Sequence, residues 1–74
     1  MGEGHKHRMQ LTLNGETRAF PGVADVAALV AALELDPRKV AVERNLEIVP
    51  RSAYAKTALA DGDRIEIVHF IGGG

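Results

Sequence analysis

Apolar and polar side chains alternate from Met9 to Leu13, and Asn14-Gly15 follows at once; together they commit the start of the fold to an antiparallel hairpin. A period of two places Met9, Leu11 and Leu13 on one face of a strand. Asn-Gly readily takes the positive φ angles of a two-residue turn, so Glu16 to Phe20 folds back beside the first strand. Pro21-Gly22 breaks that second strand, and Asp25 stands at a helix N-cap position, where its carboxylate can accept from unpaired backbone amides. Val26, Leu29, Val30 and Leu33 then recur at the spacing of one apolar helical stripe, while Ala27, Ala28, Ala31 and Ala32 supply helix propensity. That stripe must cover the apolar face of the sheet. Asp36-Pro37 is the predicted stop, because the residue before a proline is pushed out of the helical region.

The remainder continues in short elements. Val40 to Glu43 reads as a third strand, and Ile48-Val49 as a fourth that Pro50 confines to an edge or a strand end. Arg51 to Leu59 is mixed, with room for one helical turn that sets Tyr54 and Leu59 against the core. Asp61-Gly62-Asp63 signals a turn, and Arg64 to Phe70 alternates again as a final strand. Residues 1–8 carry no periodic apolar pattern and read as a flexible N-terminal extension. The expectation is one α+β domain over 9–71: a mixed sheet of four to five strands with one main helix packed on one face, followed by a flexible glycine tail, 72–74.

Composition narrows what such a chain can do. At 74 residues there is room for a single modest core. Nine Lys and Arg against ten Asp and Glu leave a formal charge of -1, which gives no bulk attraction to nucleic acid or to an anionic membrane. The longest apolar run, Val26 to Leu33, is far short of the ~20 residues that span a bilayer. No secretory signal is visible at the N-terminus, so a cytoplasmic location is expected. Cysteine is absent, which removes disulfides, thiolate metal ligands and a thiol nucleophile. Of the histidines, His5 and His7 lie in the extension without a supporting shell, and nothing marks a partner for His69. Ser52 is the only serine. Asp61 and Asp63 fall short of a calcium ligand set, and turn chemistry accounts for both. No metal site is expected, and no catalytic residue.

Gly72-Gly73-Gly74 is the segment with chemical promise. It follows the last strand without a linker and offers an α-carboxylate on a stretch free of side chains, able to thread a narrow cleft. At ~3.5 Å per residue, Ile71 to Gly74 can reach roughly 14 Å beyond the sheet. If Ile65 and Ile67 face the helix, then Glu66, Val68 and Phe70 face away from it, and Val68, Phe70 and Ile71 form a partner-docking surface beside the tail. A bulge that returns Phe70 to the core is the alternative.

A strand-strand-helix-strand-strand-strand order ending in Gly-Gly resembles the ubiquitin-like β-grasp proteins, and among them the sulfur carriers of thiamin biosynthesis, the ThiS family. The resemblance runs from about Met9 to Gly74. It is carried by Met9-Gln10-Leu11 with Asn14-Gly15, by Glu47-Ile48-Val49-Pro50-Arg51, by Asp61-Gly62-Asp63, and by Val68-His69-Phe70-Ile71-Gly72-Gly73-Gly74. Asn45-Leu46 departs from it, since the family often shows Asn-Gly there, as does the eight-residue extension.

The resemblance implies a protein co-substrate rather than an enzyme. An E1-like enzyme, using ATP and magnesium, adenylates the Gly74 carboxylate; a persulfide sulfur donor converts the acyl adenylate to a thiocarboxylate; thiazole synthase accepts the sulfur. Gly74 is then the point of covalent attachment, Gly72 and Gly73 its flexible approach, and the chain itself binds no cofactor. The small subunit of molybdopterin synthase, or a carrier for cysteine synthesis or tRNA thiolation, is the alternative within the class. A non-covalent β-grasp binding module is the alternative outside it.

Overall fold

The computed structural model describes residues 9–70. In chain order it contains β1 (Gln10–Leu13), β2 (Glu16–Ala19), α1 (Val26–Ala32), a short 3-10 helix (Pro37–Lys39), β3 (Val40–Arg44), β4 (Glu47–Val49), a second 3-10 helix (Arg51–Lys56) and β5 (Arg64–His69). The strands form one mixed sheet in the order β2-β1-β5-β3-β4. Two antiparallel hairpins, β1–β2 and β3–β4, therefore flank β5, which runs parallel to β1 and antiparallel to β3. The last strand of the chain is thus its central one.

Alternation decides which side chains meet α1. Leu11, Val42 and Ile65 are fully buried beneath Val26, Leu29 and Val30 of the helix, and Leu13, Phe20, Val40, Val49, Tyr54 and Leu59 complete the core. Phe20 lies past the end of β2; its amide donates to Met9 O at 2.8 Å, and the Arg18 guanidinium sits 5.1 Å from its ring centroid. All four residues of β2 are exposed, as befits an edge strand held to one neighbour. The second 3-10 helix realises the helical turn expected between Arg51 and Leu59. It packs against α1, with Tyr54 Oη 3.4 Å from Val40 O.

Asp25 caps α1 as expected, accepting from the Ala28 amide at 2.8 Å. The other end of the helix comes earlier than Asp36-Pro37 predicts. Leu33 is the C-cap, and Glu34 takes φ +61°. The Glu34 amide donates to Ala31 O and the Leu35 amide to Val30 O, so the last carbonyls are satisfied by a Schellman arrangement with glutamate where glycine is usual. Leu33 and Leu35 both pack against the core from this turn. Burying those two leucines outweighs continuing the helix to the proline.

Both hairpins turn through two residues at positive φ: Asn14 (+50°) with Gly15 (+86°), and Asn45 (+51°) with Leu46 (+72°). Glycine suits the second place of such a turn, whereas a leucine there forces Cβ toward the following carbonyl at a cost of roughly 1–2 kcal/mol. Leu46 is also 73% exposed, so packing returns little of that cost. Leu46→Gly is therefore expected to raise stability by about 0.5–1 kcal/mol, after allowing for the extra freedom glycine gives the unfolded chain. Thermal denaturation followed by circular dichroism would register a Tm a few degrees higher. An unchanged or lower Tm would mean that the leucine side chain contributes packing.

Candidate functional site

β5 leads directly to the segment that the sequence marks as chemically promising, and it is held on both flanks. On one side β1 ends at Leu13, which would leave the backbone of Ile67 without a ladder partner. Asn14 fills the gap with its side chain: Oδ1 accepts from the Ile67 amide at 2.8 Å, and Nδ2 donates to Ile67 O at 3.3 Å. A side-chain amide here stands in for one more peptide unit of β1. On the other side Asn45, at the tip of the β3–β4 hairpin, does the same at the start of the strand. Its Oδ1 accepts from the Arg64 amide at 2.9 Å, and its own amide donates to Arg64 O at 2.8 Å. The asparagines that make the two turns thus also grip β5 from both flanks.

Asp63 anchors the entry to β5. Its carboxylate accepts from Arg44 Nε at 2.8 Å, Asn45 Nδ2 at 3.0 Å and the Ala60 amide at 2.8 Å, in a position where Asp63 is 7% exposed. Burial alone disfavours its ionised form, but the bonds from Asn45, Ala60 and Arg44 outweigh burial, so the carboxyl titrates below its ordinary 3.8. Asp61, by contrast, accepts from the Gln10 amide at 2.7 Å. The two carboxylates serve different backbone groups, as turn residues do. Among the described residues no group of three or more His, Asp or Glu is placed to hold a metal ion.

At its far end, β5 pairs His69 with Val40, and the Phe70 amide donates to Lys39 O at 2.8 Å. Ile65 is fully buried and Ile67 packs against the core, whereas Val68 is 61% and Phe70 51% exposed. Alternation along β5 therefore holds, and no bulge carries Phe70 inward. The predicted docking residues Val68 and Phe70 stand on the surface, next to the point where the chain leaves the sheet. Ile71, Gly72, Gly73 and Gly74 lie outside the described residues, as do His5 and His7 of the 1–8 segment.

Sequence reasoning had not singled out Leu46 and Ile48 as exposed apolar residues. Ile48 is 66% exposed, because Val49 is the β4 residue that turns inward. Period-two alternation across Ile48-Val49 carries the signal, but three residues of strand are too few to say which of the pair is buried. Ser52 lines a groove of about 330 Å³ on the helix side, between α1 and the second 3-10 helix, together with Ala27, Val30, Tyr54 and Arg51. Arg51 is the one charged residue on its walls, so the groove assembles no acid–base pair. Burial raises the Tyr54 hydroxyl above its ordinary value, which leaves it a weak proton donor to Val40 O. Among the described residues, no helix is long and apolar enough to cross a membrane.

Comparison with known proteins agrees with this geometry. The family model described as ThiS family matches residues 11–74. The sulfur carrier protein ThiS of Bacillus subtilis is 42% identical over 65 residues, which cover 86% of this chain and 98% of that protein. A protein named thiazole synthase from Paramagnetospirillum magneticum is 61% identical over 66 residues, covering 89% of this chain. The chain spans only 20% of the length of that protein, and 20% of a second thiazole synthase, from Magnetococcus marinus. Among solved structures, the crystal structure of the thiamine biosynthesis protein ThiS from Geobacter metallireducens superposes with a TM-score of 0.75 at 38% identity, over 89% of this chain and all of that one. The sheet order, the single covering helix and these matches identify a ubiquitin-like β-grasp domain, and the chain belongs to the ThiS family.

Proposed function

We propose that the chain is a sulfur carrier of thiamin biosynthesis whose Gly74 carboxylate is the working group. An E1-like enzyme adenylates that carboxylate at the expense of ATP with magnesium; the terminal sulfur of a persulfide donor then displaces AMP to give an acyl disulfide, and a thiol reductant cleaves its S–S bond, leaving a thiocarboxylate and taking the donor sulfur into a new disulfide. The resulting thiocarboxylate passes its sulfur to thiazole synthase. A bare carboxylate is a poor electrophile, so activation has to come first. The chain is then a co-substrate, and its place is the cytoplasm, where ATP is available to the activating enzyme.

The observation that carries the proposal is the strand order itself. The chain's final strand is central in the sheet, clamped on both flanks, and ends at the exposed pair Val68 and Phe70 only four residues before Gly74. A rigid base with a short side-chain-free extension delivers a carboxylate to a foreign active site at a defined distance. The near-complete match to the Bacillus carrier supports the same reading. That two proteins named thiazole synthase carry a closely similar segment supports thiazole synthase as the acceptor.

Coexpression with the activating enzyme and a sulfur source, followed by intact-mass spectrometry, tests the proposal. The expected product is a chain in which one terminal oxygen is exchanged for sulfur, and which yields thiazole product when offered to thiazole synthase. A chain that stays unmodified under these conditions would refute it.

A further inference from the structure

The two hairpin turns are alike in shape and differ in their second residue. Asn14 and Asn45 hold the same place in their turns, at φ +50° and +51°, and each uses its side-chain oxygen to hold a backbone amide of β5. Gly15 follows the first and Leu46 the second. That difference decides a reaction. Asparagine is chemically labile because the nitrogen of the following peptide unit can attack its Cγ, an approach left open by a residue without a side chain and obstructed by a bulky one. Asn14 and Gly15 are both exposed. Beyond its chain neighbours, nothing lies within 4 Å of where a Cβ on Gly15 would stand, so neither ring closure nor the water that follows meets an obstacle there.

We propose that Asn14 is a site of spontaneous modification, converted through a cyclic imide to aspartate and isoaspartate, and that the change releases one flank of β5. The Gly15 nitrogen bonds to Asn14 Cγ, the Cγ–Nδ2 bond breaks, and the proton of that nitrogen leaves, through solvent, with the departing ammonia. Water then opens the imide, at Cγ to give aspartate or at the Asn14 backbone carbonyl to give isoaspartate. Nothing is oxidised or reduced. The group expelled is the one that donates to Ile67 O at 3.3 Å, so the reaction and the clamp exclude each other. The carboxylate left by the aspartate outcome sets a further acceptor beside that carbonyl, and isoaspartate lengthens the main chain by a methylene inside a two-residue turn. β1 reaches β5 no further than the Asn14 amide, which donates to Ile65 O at 2.9 Å, so from Ile67 onward the strand keeps its β3 pairing alone. Leu46, exposed and strained, gains a role by the same chemistry: it shields Asn45, whose side chain serves both Asp63 and Arg64. Where β5 aims a tail, as the carrier reading holds, a chain so altered aims it less firmly; the modification itself does not depend on that reading.

The test incubates the folded full chain at physiological temperature and mildly alkaline pH for several weeks, followed by tryptic digestion and mass spectrometry. Peptide 9–18, which holds Asn14, should gain the mass of an amide-to-acid change and resolve into aspartate and isoaspartate forms, while peptide 45–51 stays unmodified. Leu46→Gly should make peptide 45–51 convert about tenfold faster than in the wild-type chain. In the modified protein the Ile67 amide should exchange with deuterated water about tenfold faster than in fresh protein, with Val42 of the neighbouring strand unchanged. Peptide 9–18 left unmodified, or converting no faster than 45–51, would overturn the site. Conversion that leaves Ile67 exchange unchanged would overturn the release of β5. A Leu46→Gly chain whose Asn45 stays intact would remove the shielding role and, with it, the account of why the two turns differ.

Discussion

A chain lacking Gly74 is expected to keep the melting temperature of the full-length protein and to lose thiocarboxylate formation completely. The same outcome is expected when residues are added after Gly74. The core residues run from Leu11 to Ile65, and the expectation takes the stability of the fold from them. The chemistry, in contrast, is asked of one carboxyl carbon at a fixed distance from the sheet. Shortening the tail by one residue withdraws that carbon by roughly 3.5 Å, whereas reacting atoms must meet within about 3–3.5 Å. Adding residues converts the carboxylate to an amide, which cannot be adenylated. Intact-mass spectrometry after coexpression reads the chemistry, and circular dichroism reads the fold. Sulfur found on a chain without Gly74 would refute the carrier proposal, and a fallen Tm would show that the tail contributes to the fold.

The second large effect falls on stability alone. Asp63→Ala should cost about 3 kcal/mol, lowering Tm by roughly 10–20 °C, because it strands the Ala60 amide, Asn45 Nδ2 and the Arg44 guanidinium beside a vacated site. The same carboxylate gives the protein an acid limb. Its folded-state carboxyl lies below the ordinary 3.8, so the unfolded chain binds the proton more readily than the folded one. The stabilisation is therefore complete above that ordinary value and is lost as pH falls through the lower folded one. Asp36, held at about 2 by its side-chain bond to Arg38, shifts in the same direction, but it lies at the surface beside a largely exposed Arg38, where water screens the pair. Asp63→Asn should flatten most of the acid limb measured by chemical denaturation between about pH 5 and pH 2. An acid limb as steep in Asp63→Asn as in wild type would assign it to other carboxylates.

The carrier reading places these two residues in separate economies. Asp63 fixes where β5 begins, through Arg44 and Asn45 of the neighbouring hairpin. Gly74 is where the consequence of that fixing is felt, beyond the last clamped residue. Between them, Asn14 holds Ile67, and Lys39 O holds Phe70. The strand is therefore secured along its length by groups that come from three different segments. Such redundancy suits a strand whose end has to be aimed.

Much of this was legible in the letters. The hairpin at Asn14-Gly15, the N-cap at Asp25, the inward turn of Ile65 and the outward turn of Val68 all follow from local periodicity or from one residue's backbone preference, which neighbours in sequence suffice to set. The outward placement of Phe70 needed the structure to choose between simple alternation and a bulge. The early end of α1 at Leu33 was hidden, because it depends on Leu33 and Leu35 reaching a core built by distant strands. So did the double use of Asn14, whose side chain serves a residue 53 positions away. Period and propensity act over a few residues and can be read in one dimension. The pairing of Glu43 with Glu66, the grip of two asparagines on β5 and the anchoring of Asp63 exist only once the last strand has inserted between the two hairpins, and that insertion is a gain of the whole core rather than of any segment.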